Sequence, residues 1–134
     1  MSTPGADPSG DYVLKLFAAV DRLRPGAGSV LAAKARRLTG TPNHAQAPGG
    51  LNQYAWLLGL SRADLFLTYR TSALAALRDN PALRLVELPE ALAVEAHYGL
   101  TVLDPVAERL ASFILGSAGS AILDRHGFLR LEHG

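Results

Sequence analysis

From Asp11 onward the apolar residues Val13, Leu16, Phe17 and Val20 recur at i, i+3, i+4 and i+7, the spacing of one helical face. Pro25-Gly26 stops that helix, and residues 2–10, rich in Pro and Gly, read as a loop leading into it. Val30, Leu31, Ala35 and Leu38 predict a second helix ending near Gly40, with Lys34, Arg36 and Arg37 as its solvated face. After the breaker-rich stretch 40–50, Leu51, Tyr54, Ala55 and Leu58 predict a short helix starting at Gly50 or just after. Leu65–Tyr69 is a short, continuous apolar run, as expected of a strand covered on both faces. Thr71–Leu77 reads as a helix, Arg84–Leu88 as a strand reaching Pro89, and Val94–Leu103 leans to β with a break at Gly99. Asp104 is placed to cap a helix from Pro105 to Leu115, and Ser117–His126 predicts a last helix closed by Gly127. Helices alternating with short apolar strands predict an α/β fold with a mainly parallel sheet flanked by helices. No internal repeat or low-complexity tract interrupts the pattern.

Composition narrows the class. With 134 residues, 49% apolar and 19% charged, the chain is sized and equipped for one compact domain or one lobe of a larger protein. Thirteen Lys and Arg against twelve Asp and Glu leave a net charge of +1, which excludes a broad electrostatic footprint for nucleic acid or anionic membrane. Without cysteine there is no disulfide, thiolate zinc site, iron–sulfur ligation or cysteine catalysis. The first residues lack the basic-then-apolar order of a secretory signal, and no window approaches the roughly 18 apolar residues of a membrane span. As written, the chain is expected to stay in the cytoplasm where it is made, or to be a fragment of a longer precursor.

Catalytic chemistry finds little footing. His44, His97, His126 and His133 are scattered, and none has metal-ligand spacing to a carboxylate. His126 stands where a cation meets the negative end of a helix dipole. No nucleophile elbow, phosphate-binding P-loop or dinucleotide fingerprint is present, since Gly26-Ala27-Gly28 follows a helix rather than a strand. Asp7 and Asp11 form a carboxylate pair at a helix start, where capping accounts for both. We therefore expect no enzymatic activity, no metal and no cofactor.

A different arrangement points to anion binding. Ser9-Gly10 opens one helix, Gly49-Gly50 opens another, and Tyr69 ends a run before a loop. Helix N-termini offer unsatisfied N–H groups and about half a positive charge, which suits an oxyanion without lysine or arginine. Glycine lets a ligand approach the main chain, and Tyr69 adds a hydroxyl. The competing reading is ordinary capping with Tyr69 as a packed aromatic.

The stretch Asp7-Pro8-Ser9-Gly10-Asp11-Tyr12 and the segment Gly49–Tyr69, ending Arg62-Ala63-Asp64-Leu65-Phe66-Leu67-Thr68-Tyr69, resemble the substrate-binding proteins of molybdate-type ABC transporters. So does the tail from Ala111 to Phe128, with its Phe113-Ile114-Leu115 helix, small-residue turn, Ala121-Ile122-Leu123 and Gly127-Phe128 ending. The resemblance covers most of residues 3–129. It implies a type II periplasmic-binding-protein-like fold of two α/β lobes joined by a hinge, holding a molybdate- or tungstate-like oxyanion between them with neutral donors. It places backbone donors at Ser9 and Leu51, with Gly10 and Gly50 beside them, and a phenolic donor at Tyr69. It further implies a periplasmic setting and an ABC permease as partner.

Departures from that pattern carry their own expectations. The family's first lobe has no counterpart here, so residues 1–103 are expected to form the second lobe, with the hinge crossing near 94–103. Residues 104–134 are expected to form a helical pair that in the family packs on the first lobe. Its apolar residues Leu110, Phe113, Ile114, Ile122 and Leu123 then need a complementing lobe, a partner chain or a second copy in a homodimer, at on the order of 1.5–3 kcal/mol per exposed side chain. Arg70, after the tyrosine, stands at the rim of the site, either attracting the anion or reaching solvent. An alternative function follows: a dimerising, interaction or sensor module derived from such a lobe, with weak or no ligand binding.

Overall fold

The computed structural model describes residues 1–129. They divide into two compact units, Met1–Glu95 and a second from Ala96 onward. In the first unit, α1 (Pro8–Leu23), α2 (Ala27–Lys34), α3 (Gln53–Gly59) and α4 (Arg70–Asp79) follow one another, then a 3-10 turn at Glu90–Leu92.

Helix α1 starts earlier than the apolar spacing alone predicts. Asp7 takes an extended conformation and its Oδ1 accepts from the Ser9 amide at 2.9 Å, while Pro8 occupies the first helical position, where a missing N–H costs nothing. Residues 8–10 are thus helix, not loop. The face Val13, Leu16 and Phe17 is buried with Met1, and Val20, Ala35, Leu67, Leu92 and Val94 pack around it. Helix α2 crosses α1 at Gly28, where any Cβ would lie 2.1 Å from the Phe17 carbonyl oxygen. Asp21 Oδ1 accepts from the Gly28 amide at 2.7 Å and fixes that crossing. The predicted second helix stops at Lys34, so Ala35 and Leu38 lie beyond it.

Those residues are extended for a reason. The chain from Arg36 to Thr39 runs beside Met1–Thr3 in parallel, with a bridge between Ser2 and Thr39. The Leu38 amide donates to the Met1 carbonyl at 3.0 Å, the Thr3 amide donates to the Thr39 carbonyl at 2.9 Å, and the Ser2 and Thr39 hydroxyls are buried 2.9 Å apart. Among the described residues this isolated bridge is the whole of the β-pairing.

The expected α/β fold with a mainly parallel sheet is therefore corrected: among the described residues the protein is helical, with no strand or sheet. Leu65–Tyr69, Arg84–Leu88 and the stretch 94–103 carry no regular strand. An extended segment becomes a strand only when a neighbour completes its hydrogen-bond ladder, and none of these three pairs with another. Exposure agrees, since a doubly covered strand would not leave Leu65 at 68% and Val86 at 84%. Apolar continuity in these runs serves packing on helices instead. Leu67 packs against the α1 cluster, and Phe66 meets Tyr54 of α3 edge-on at 4.9 Å.

In the second unit a 3-10 turn, Pro105–Ala107, leads into α5 (Glu108–Leu115) and α6 (Ser117–Arg125). Asp104 Oδ1 accepts from the Val106 amide at 2.9 Å, the expected cap, and Gly127 closes α6 with a φ of +91°. The segments Pro105–Leu115 and Ser117–Arg125 bend by 61°. At Gly119 a Cβ would lie 2.3 Å from the Phe113 carbonyl oxygen, so α6 folds tightly back on α5. Leu110 and Phe113 remain exposed, at 61% and 51%, as do Ile122 and Leu123, while Ile114 is half-buried. No single described helix is long and apolar enough to cross a membrane. His133 lies outside the described residues.

Candidate oxyanion-binding site

Ser9 and Gly10 are buried in the first turn of α1. Residues 2–4 lie directly over this turn: a Cβ on Gly10 would sit 2.6 Å from Pro4 N and Thr3 C. The two leading amides already have acceptors within the chain, Ser9 on the Asp7 carboxylate and Gly10 on the Asp7 carbonyl at 2.8 Å. Asp11, the other acidic residue, accepts from the Gly5 amide at 2.9 Å and fixes the approach to the helix. Both carboxylates thus serve the turn and the cap.

Tyr69 stands at the N-cap of α4 with extended backbone (φ −64°, ψ 147°) and gives that helix no side-chain cap. Its ring meets the Tyr12 ring edge-on, centroids 5.9 Å apart at 68°. Tyr12 is three residues beyond Ser9 on α1, hence a neighbour on the same face. The start of α1 and the start of α4 are therefore joined through two aromatic rings. Lys15, one turn further, holds its ammonium 4.8 Å from the Tyr12 centroid. Arg70 does not point a bare guanidinium at this corner; its Nε donates to Glu87 Oε1 at 2.7 Å in an exposed ion pair.

Leu51 and Gly50 lie elsewhere. Gly50 has a φ of +86° and the Leu51 amide donates to the Pro48 carbonyl at 3.1 Å, so both belong to a turn before α3 rather than to its first turn. Asn52 is the cap, its Oδ1 accepting from the Tyr54 and Ala55 amides. The Asn52 amide donates to Asp79 Oδ2 at 2.5 Å. Asp79 is the last residue of α4 and Tyr69 precedes its first, so the helix separates them by about 15 Å at 1.5 Å per residue. The ring contact with Tyr12 sets Tyr69 beside α1, the helix whose first turn holds Ser9 and Gly10, while Gly50 and Leu51 lie toward the other end of α4. Sequence reasoning missed Tyr12 as a contact; its i+3 spacing from Ser9 was the available signal.

Among the described residues no three His, Asp or Glu side chains gather as a metal-binding group. His44 has a structural role: its Nδ1 accepts from the Thr41 amide at 3.3 Å and Nε2 lies 3.1 Å from the Arg37 carbonyl, which pins the loop after Gly40.

The family model described as bacterial extracellular solute-binding protein matches residues 1–129. The chain belongs to that family. By its description the family binds solutes outside the cell. A relative, an uncharacterized protein of Pasteurella multocida (strain Pm70), is 35% identical over 134 residues, covering 99% of this chain and 55% of the relative. The chain thus spans about half the length of the curated relative it matches. No solved structure matches the chain.

Proposed function

We propose that this solute-binding chain is part of the substrate-binding component of an ABC transporter and takes a tetrahedral oxyanion such as molybdate or tungstate. The observation that carries the reading is the corner where the first turn of α1, with Ser9 and Gly10, meets Tyr69 through Tyr12. A long helix start and a phenol are neutral donors of the kind that hold a dianion without a basic cluster. Because Asp7 engages the Ser9 amide, an anion there must draw that amide away from the carboxylate or share it. Periplasmic residence and delivery to a membrane permease follow from the same reading. A ligand bound more tightly in a closed than an open arrangement would shift the balance toward closure, and the permease would recognise the closed form. The protein acts by binding, with no catalytic step and no cofactor.

Thermal melting with molybdate, tungstate, sulfate and phosphate tests this. At one hundred times its dissociation constant a ligand stabilises by about 2.7 kcal/mol. No shift with any of the four ions would end the oxyanion reading for this chain.

The exposed apolar residues of α5 and α6, Leu110 and Phe113 foremost, support a second reading, an interaction module with little ligand affinity that pairs with a second copy or another lobe. Light scattering distinguishes the two, because a concentration-independent monomer contradicts the pairing.

A further inference from the structure

We propose that Tyr12 is a positioning residue for the Tyr69 phenol, holding it in the direction an oxyanion at this corner requires; the inference rests on the oxyanion reading of the same site. The Tyr69 side chain makes no cap bond to α4, and its ring packs edge-on against Tyr12 at 5.9 Å. Tyr12 is well placed to act as an anchor. It belongs to a 16-residue helix whose adjoining residue Val13 is buried with Leu16 and Phe17, so its backbone cannot roll without breaking the core. The Lys15 ammonium, 4.8 Å from the ring centroid, holds the Tyr12 ring through a cation–π contact. Edge-to-face pairs favour one relative orientation of two rings, so a fixed first ring restricts the second. A tyrosine that must be ordered on binding loses affinity for that ordering, and one already held does not. Tyr12 is the third residue after Ser9 on α1, so it links the Tyr69 ring to the helix that begins there.

The experiment uses the whole chain with Tyr12→Phe and Tyr12→Leu, titrated with sodium molybdate, while the Tyr69 ring signals are followed by NMR with and without the ion. Tyr12→Phe keeps the edge-on ring and is expected to bind within about twofold of the unaltered chain. Tyr12→Leu is expected to weaken binding by about three- to tenfold, the effect of one newly immobilised side chain. It should also shift the Tyr69 ring signals in the ligand-free protein, with Phe restoring both. Unchanged Tyr69 signals in Tyr12→Leu would overturn the proposal whatever the ion does, as would unchanged molybdate affinity in a chain that binds it. Shifted ring signals in a chain that binds no oxyanion would confirm the ring contact, yet overturn both its role in binding and the oxyanion reading.

Discussion

The amide of Asn52 donates to the carboxylate of Asp79, tying the turn before α3 to the far end of α4. This bond keeps Leu51 away from the corner where Tyr69 stands. Asp79→Ala is expected to cost about 1 kcal/mol, the loss of one exposed charge-assisted bond, readable by urea denaturation. The affinity of the chain for molybdate should be the same before and after the change. A marked loss of affinity would restore Leu51 to the site.

Gly10 and Gly49 make a matched pair. Alanine at Gly10 would drive its Cβ into the backbone of Thr3 and Pro4, whereas a Cβ at Gly49 meets nothing within 4 Å. Gly10→Ala is therefore expected to destabilise by about 1–3 kcal/mol and Gly49→Ala by no more than about 0.5 kcal/mol. Paired denaturation curves check both, and equal effects would contradict the packing of residues 2–4 over α1.

Asp7 works through its side chain. Removing the cap with Asp7→Ala should lower stability by about 1 kcal/mol, and Asp7→Ser should recover much of it. Melting temperatures of the two variants give the answer directly.

Much of the helical pattern was legible because its causes are local. Val13, Leu16 and Phe17 carry a period that only a helix satisfies, and Asp104-Pro105 and Gly127 mark ends through their own backbone preferences. Strands were not legible, since Leu65–Tyr69 and Arg84–Leu88 have strand-like composition but a strand needs a partner, and composition does not name one. The pairing that does occur, Ser2 with Thr39, joins residues 37 apart through polar side chains and left no apolar signature. The sequence singles out Ser9, Gly10, Leu51 and Tyr69 together, yet the separation of Leu51 from Tyr69 rests on Asp79, a residue whose sequence context says only that a helix is ending.

Calorimetric titration of the whole chain with molybdate, beside Tyr69→Phe, tests the central claim most directly. A neutral phenolic donor predicts saturable binding by the unaltered chain and a weakening of about two- to tenfold in the variant, the worth of one hydrogen bond. Equal affinity of the two chains, or no binding by either, would contradict it.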